Sequence, residues 1–355
     1  MTLRHGFTTG TAAAAAAKAA TLHLLGGAPV EFVDVPLPPG GRMTVAIRES
    51  RIDGDGVLAA VVKDGGDDPD VTHRAVIRAR VCRTSGMDIS LRGGAGVGVV
   101  TRPGLPVAVG EPAINPAPRM QIRQAISEAM DRPHGLDVEI RVDRGEELAR
   151  NTFNPRLGIV GGISILGTRG TVKPFSNAAY QATIRQCLDV MGACGVARPC
   201  LTTGGRSERF LRQARPGTPD TACVQVADFF FYSMREVGRR GFSSVQWGVF
   251  FGKLVKQAQG HRYTHARSAD LDLGILAGWC AQCGFAPHIC REVAAANTAM
   301  QVLELLTPLP QAPALFNLLT TRARGFAQEF SGRAIRVDYL LFDFSGQILA
   351  DTEAA

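Results

Sequence analysis

The spacing of apolar residues along this chain changes its period near residue 157. Before that point short alternating runs dominate: Val30–Val35, Met43–Ile47, Leu58–Val62, Val76–Val81, Met87–Leu91 and Asp137–Val142. A period of two marks a strand with one buried face. Two helical stretches lie among them. One is the Ala-rich segment 12–20, which continues into Thr21-Leu22-His23-Leu24-Leu25, is opened by Thr9 or Thr11 and is closed by Gly26-Gly27. The other covers about 119–130 and opens on a Pro-Arg step. Strands with few helices predict an α+β domain over residues 1–155.

Beyond 157 strands and helices alternate. A helix capped by Ser176 runs through about Met191, and a strand ending at Cys200-Leu201 turns through Thr202-Thr203-Gly204-Gly205 into helix Ser207–Gln213. Val224–Val226 leads to helix Asp228–Arg240, and Val245–Phe250 leads through Gly252-Lys253 to a further helix. Three helical stretches and a strand at Ile335–Phe342 complete the tail. Repeated strand, glycine turn and helix predict a parallel, Rossmann-like α/β domain over 156–355, with ligands at the carboxyl ends of its strands.

Three loops of the first domain carry chemistry that the pattern does not demand. Lys63-Asp64-Gly65-Gly66-Asp67-Asp68-Pro69-Asp70-Val71-Thr72-His73 holds four carboxylates, an ammonium and an imidazole between two predicted strands. It is either a solvated acidic turn or a functional loop in which Asp64, Asp67, Asp68, Asp70 and His73 are candidate bases. Gly94, Gly96 and Gly98 follow, either a softened hairpin or backbone amides that close on an anion. Three prolines then fix an extended path that presents Glu111, Asn115 and Arg119. In the second domain Thr202-Thr203-Gly204-Gly205-Arg206-Ser207-Glu208 is either a tight, capped strand-to-helix turn or a nucleotide-type site. No Walker-type phosphate loop is present, because Gly252-Lys253 lacks the upstream glycine and the Ser/Thr follower.

Composition narrows the classes. Hydrophobic content of 45% and charged content of 20% are those of a soluble globular chain, and no apolar run reaches the length of a membrane span. We therefore expect a cytoplasmic protein. Its net charge of +7 suggests nucleic acid first, yet the cations are scattered and aromatic residues make up only 6%. A small polyanion explains the balance as well. Eight cysteines in such a chain are expected free. Cys280, Cys283, His288 and Cys290 have ligand chemistry but irregular spacing, and a helix over Leu273–Cys283 places the first two on an apolar face, so no metal is expected.

The blocks KDGGDDPDVTH, GGAGVGVVTRPGL and VGEPAINPAPR resemble those of the CbiD family. The likeness extends to RHGFTTGTAAAAAAKAA at 4–20, TFNPRLGIVGGISILGTRGTV at 152–172, TTGGRSERF at 202–210 and GKLVKQAQG at 252–260. The chain departs from the family at Ala12, often Cys in members, and at Phe250 and Phe251. The resemblance implies transfer of a methyl group from S-adenosylmethionine to carbon 1 of cobalt-precorrin-5B, giving the 6A intermediate. It supplies no agreed catalytic residue.

On this reading Thr202, Thr203, Gly204, Gly205 and Glu208 hold the donor. Lys63, Gly94, Gly96, Arg102, Glu111, Asn115, Arg119 and His265 hold the tetrapyrrole and its carboxylate arms. No nucleic acid or membrane is involved, and a homo-oligomer is compatible. Three other classes are distinguishable by assay: a small-molecule kinase using Gly94–Gly98 over phosphates, a non-catalytic corrinoid carrier, and a salt-sensitive nucleic-acid binder.

Overall fold

The structure is a computed structural model that describes residues 3–266 and 270–353. It divides into two compact units, 1–177 and 178–355.

In the first unit β1 (Gly6–Phe7) leads into α1 (Thr9–Gly26), and β2 (Phe32–Pro36) pairs antiparallel with β3 (Arg42–Ala46). Then come β4 (Glu49–Asp53), β5 (Gly56–Val62), β6 (Val76–Thr84), β7 (Ile89–Gly93), β8 (Gly96–Val97), β9 (Val99–Val100), α2 (Pro116–Ser127), β10 (Gly135–Val142) and the short α3 (Gly145–Ala149). The main sheet has the order β4-β5-β6-β10-β7, antiparallel except between β10 and β7. Its inner face is covered by α1, in which Ala12–Ala17, Ala19 and Ala20 have no exposed surface. Side chains of one carbon let this helix lie close to β5, β6 and α2 at once, so it is buried around its circumference. Thr8, rather than Thr9 or Thr11, accepts the capping bond from the Thr11 amide, and Gly27 ends the helix in the left-handed region.

Residues 156–177, expected in the second domain, belong to the first unit. There β11 (Ile159–Val160) pairs with β9, β12 (Gly162–Ile163) with β8, and β13 (Thr171–Val172) with β1. Strands of two residues carry no periodicity, so the apolar pattern does not mark this boundary.

The second unit starts with α4 (Asn177–Ala193). It continues through β14 (Cys200–Thr202), α5 (Gly205–Ala214), β15 (Cys223–Gln225), α6 (Phe230–Arg239), β16 (Ser244–Phe250) and α7 (Phe251–Ala258). After α8 (Leu273–Gln282), α9 (Pro287–Ala295), α10 (Ala299–Leu306) and α11 (Ala312–Ser331) come β17 (Arg336–Phe342) and β18 (Ile348–Asp351). The sheet order is β15-β14-β16-β17-β18; the first four strands are parallel and β18 is antiparallel. Trp247, Tyr339 and Phe342 fill its fully buried centre. A parallel α/β sheet is what the alternation predicted. From β14 the chain passes outward to β15 and then returns to β16 on the other side. The strand order therefore reverses between β14 and β16, which puts the crevice of an open α/β sheet above those two carboxyl ends.

Candidate functional site

In the first unit the acidic loop is held by the chain's own groups. Lys63 is almost wholly buried, and its ammonium meets the Asp70 carboxylate at 2.6 Å. Asp70 also accepts from the amide and hydroxyl of Thr72, at 2.7 and 2.6 Å. Burial opposes ionisation of Asp70, yet Lys63 and Thr72 hold its carboxyl below the usual range. Asp64 is gripped by both outer nitrogens of Arg4 and accepts the Gly66 amide at 2.9 Å. The Arg4 hydrogen bond, working against burial, lowers its pKa too. Asp67 takes the Arg4 amide at 2.7 Å, and Asp68 takes the Phe175 amide at 2.9 Å. His73 Nδ1 accepts the Gly65 amide at 3.0 Å, which leaves Nε2 as the protonated nitrogen of the neutral ring.

Adjacency in the sequence does not reveal how these groups pair. Lys63 is consumed by Asp70 and offers a ligand no free cation. Asp64 and Asp70 are thus held in their ionised form by their partners.

The glycine loop is also committed to the fold. The Gly94 amide donates to Ile140 O at 2.8 Å and the Gly98 amide to Ile163 O at 2.9 Å. A Cβ on Gly94 would sit 2.1 Å from the Glu139 carboxylate; on Gly96, whose φ is +78°, it would sit 2.0 Å from Val142 O. Close approach of backbone and side chain is therefore reason enough for glycine at 94 and 96. Arg102 donates to Arg156 O at 3.2 Å. Arg119 donates to Ile114 O at 2.8 Å and faces Glu111 at 3.5 Å, clamping the proline-rich loop. Asn115 caps α2 with extended backbone and bonds Ile165 O through its amide; its half-buried side chain has no hydrogen bond among the described residues.

The first unit has a concavity of about 630 Å³ on its main sheet, where Arg51, Arg78, Arg141 and Arg144 surround Glu49 and Asp143. Arg78 holds Asp143 at 2.8 Å and also pairs with Glu49. Arg51, Arg141 and Arg144 also have carboxylate partners, Asp53, Glu139 and Glu147, so the lining is arginine-rich with each guanidinium paired.

In the second unit the predicted donor turn closes β14. Thr202 is buried, Thr203 Oγ1 lies 3.2 Å from Ser207 Oγ, and Ser207 Oγ in turn bonds the Gly204 backbone. Nothing lies within 4 Å of a Cβ built on Gly204, and only Gln225 Nε2, at 3.6 Å, approaches one on Gly205. Open space therefore stands over the amino end of α5. Glu208 is buried and accepts from Gln225 Nε2 at 2.9 Å, which ties the turn to β15.

The adjoining strand ends supply residues that the sequence reading did not select. Ala227 has φ +48°, a conformation a non-glycine residue rarely holds, and it turns Asp228 out ahead of α6 rather than into the helix. The Asp228 carboxylate pairs with Lys253 and accepts Thr264 Oγ1 at 3.1 Å. The Thr264 carbonyl receives both Lys253 Nζ, at 3.3 Å, and Lys256 Nζ, at 3.4 Å. Burial, then the charge of Lys256, pushes Lys253 down to about 8. Tyr180, Phe229, Tyr263 and His265 stack alongside at centroid spacings of 5.5, 5.1 and 6.0 Å, so His265 joins an aromatic ladder. A sequence signal for this site existed: lysines three apart on the first helical turns after a strand, within GKLVKQAQG.

Cys280 is buried in α8, where burial raises its thiol to about 12. Cys290 Sγ lies 3.7 Å from Phe285 O, and His288 is exposed. Among the described residues no three His, Cys, Asp or Glu side chains are grouped for a metal ion, and no helix is long and apolar enough to cross a membrane.

A strand-rich unit with an arginine-lined concavity and a parallel-sheet unit with a charged crevice at its strand ends define a two-unit α/β protein. The chain belongs to the CbiD family: the CbiD model matches residues 1–174, and the model of the CbiD C-terminal domain matches 263–353. It is 48% identical to a cobalt-precorrin-5B C(1)-methyltransferase of Nitratidesulfovibrio vulgaris, over 97% of this chain and 91% of that one. It is 44% identical to the protein of the same name from Thermus thermophilus, over 98% and 93%. A crystal structure of a cobalamin biosynthesis protein (cbiD) from Archaeoglobus fulgidus is 30% identical, covers 72% of this chain and 80% of its own, and has a TM-score of 0.41.

Proposed function

We propose that this protein transfers the methyl group of S-adenosylmethionine to carbon 1 of cobalt-precorrin-5B, giving cobalt-precorrin-6A. The observation that carries the reading is near full-length identity of 48% to a relative of that name. The donor's sulfonium supplies the leaving group, so the chain's work is to hold two ligands in line, exclude water and take a ring proton. The second unit is read as Rossmann-like, with the donor at the Thr203–Gly205 turn. That turn stands at the point where strand order reverses and has open space above it.

The first unit is read as the tetrapyrrole's side, because its arginine-lined concavity matches a ring of carboxylate arms. Asp67, Asp68 and His73 are the bases in reach of that reading. The protein acts in the cytoplasm on a small molecule and not on nucleic acid, alone or as a homo-oligomer. A kinase using Gly94–Gly98 is disfavoured, since the amides of Gly94 and Gly98 are already spent on the fold.

The test is anoxic incubation of the full chain with methyl-labelled donor and cobalt-precorrin-5B, read by mass and by carbon NMR. Label at carbon 1 supports the reading. No transfer, or transfer to another carbon, ends it.

A further inference from the structure

Lys253 and Lys256 lie one helical turn apart on α7, directly after β16, and both ammonium groups reach the same carbonyl, that of Thr264. Asp228 pairs with Lys253 and also accepts the Thr264 hydroxyl, so it is already occupied. Lys256 is 9% exposed, and among the described residues no carboxylate pairs with it. A buried ammonium with only a carbonyl for partner is costly, because the water it gave up is not replaced by an opposite charge. Asp270 acts on it only from beyond ion-pair distance. The position is equally specific. Asp228 follows β15, the lysines follow β16, and the reversal of strand order lies between β14 and β16.

We propose that Lys256, assisted by Lys253, forms a carboxylate-binding subsite at the strand ends of the second unit, and that a ligand carboxylate completes the ion pair Lys256 lacks. The inference rests on the methyltransferase reading and refines it. Two ligands of that reaction carry the required group: the amino-acid end of S-adenosylmethionine and the acid arms of the tetrapyrrole.

The experiment uses two matched pairs of probes, titrated calorimetrically into the full chain. One pair is S-adenosylmethionine and its decarboxylated form; the other is cobyrinic acid and its amidated counterpart. The wild type is expected to prefer the carboxylate-bearing member of one pair by about ten- to a hundredfold, the range for a hydrogen bond between charged groups. Lys256→Met should abolish that preference while leaving the carboxylate-free member unchanged, and Lys256→Arg should keep most of it. Loss on the donor pair assigns the subsite to the donor, and loss on the corrinoid pair assigns it to the substrate.

Equal binding within both pairs by the wild type, or a Lys256→Met variant that weakens both members alike, overturns the proposal. Should Lys256→Met fail to fold, Lys253→Gln, at the more exposed ammonium, carries the same comparison. A wild type that transfers methyl but shows no carboxylate preference sinks the subsite alone. One that shows the preference without transfer sinks the enzymatic reading alone.

Discussion

The acidic loop at 63–73 and the crevice around Asp228 are both dense in charge, and their charges are used in opposite ways. In the loop each aspartate takes a donor from the same unit, and the one deeply buried cation, Lys63, meets its carboxylate at 2.6 Å. In the crevice one ammonium, that of Lys253, pairs with Asp228, and both ammonium groups reach one carbonyl. The first arrangement is closed by hydrogen bonds, whereas in the second Lys256 has no carboxylate within ion-pair distance among the described residues and feels Asp270 only through its charge. Local charge density in a sequence marks both equally. What separates them is whether the fold balances the charge after burial.

The comparison breaks most visibly at the bases. Asp67→Asn, Asp68→Asn and His73→Gln, made singly, should leave both ligands bound, and one of the three should cut single-turnover methyl transfer by about 10²- to 10⁴-fold. If all three stay within about tenfold of wild type, the loop contributes no base and is wholly structural.

A smaller effect tests closure itself. Lys63→Met strands the Asp70 carboxylate and should cost about 3 kcal/mol in denaturant unfolding, whereas Lys63→Met with Asp70→Leu should recover most of it. An unchanged midpoint for the single variant would mean the pair is not a keystone of the loop.

Next is the turn at Thr203–Gly205, proposed to hold the donor. Gly205→Ala fits the space seen there, while the branched Gly205→Val intrudes on it and should weaken S-adenosylmethionine by about tenfold with corrinoid binding intact. Normal donor binding by Gly205→Val, together with its loss in an acidic-loop variant, would exchange the roles of the two units.

The smallest effects are in pH, where the regions should respond at opposite ends. Asp64 and Asp70 have depressed folded pKa values. Their stabilisation is present above the unfolded value of about 4 and is lost as pH falls through the folded values. Lys253 is depressed to about 8. Between that value and the unfolded one near 10.4 the unfolded chain binds more protons, so stability gains slightly as pH rises. Carboxylate binding in the crevice should weaken over the same interval. Thermal melts from acid to alkaline pH check the first pair of statements, and calorimetry above pH 8 checks the last.

Much of this architecture is legible in the chain. Eight buried alanines, the alternation of β5 and β6, and the repeated strand–glycine–helix units announce a packed helix, a sheet with one inner face and a parallel α/β unit. β4, whose letters Glu-Ser-Arg-Ile-Asp carry little apolar signal, does not declare itself. Gly94 and Gly96 are ambiguous in the sequence because glycine serves an anion cradle and close backbone packing alike, and the close packing is visible only in coordinates. The crevice stays hidden because Asp228, Lys253 and Thr264 meet from turns up to 36 residues apart. Their partnership is a property of strand order, not of any local window.

The all-round burial of α1 has a consequence for synthesis on the ribosome. This helix precedes every element that covers it, and α2, which closes one side, is complete only at Ser127, 101 residues after Gly26. At about 5–20 residues per second the nascent helix waits on the order of 5–20 s for its pocket. An eighteen-residue helix lined with leucine would spend that interval as an aggregation hazard. Alanine offers so little apolar surface that the segment can wait in water, at the cost of a core whose assembly depends on everything that follows.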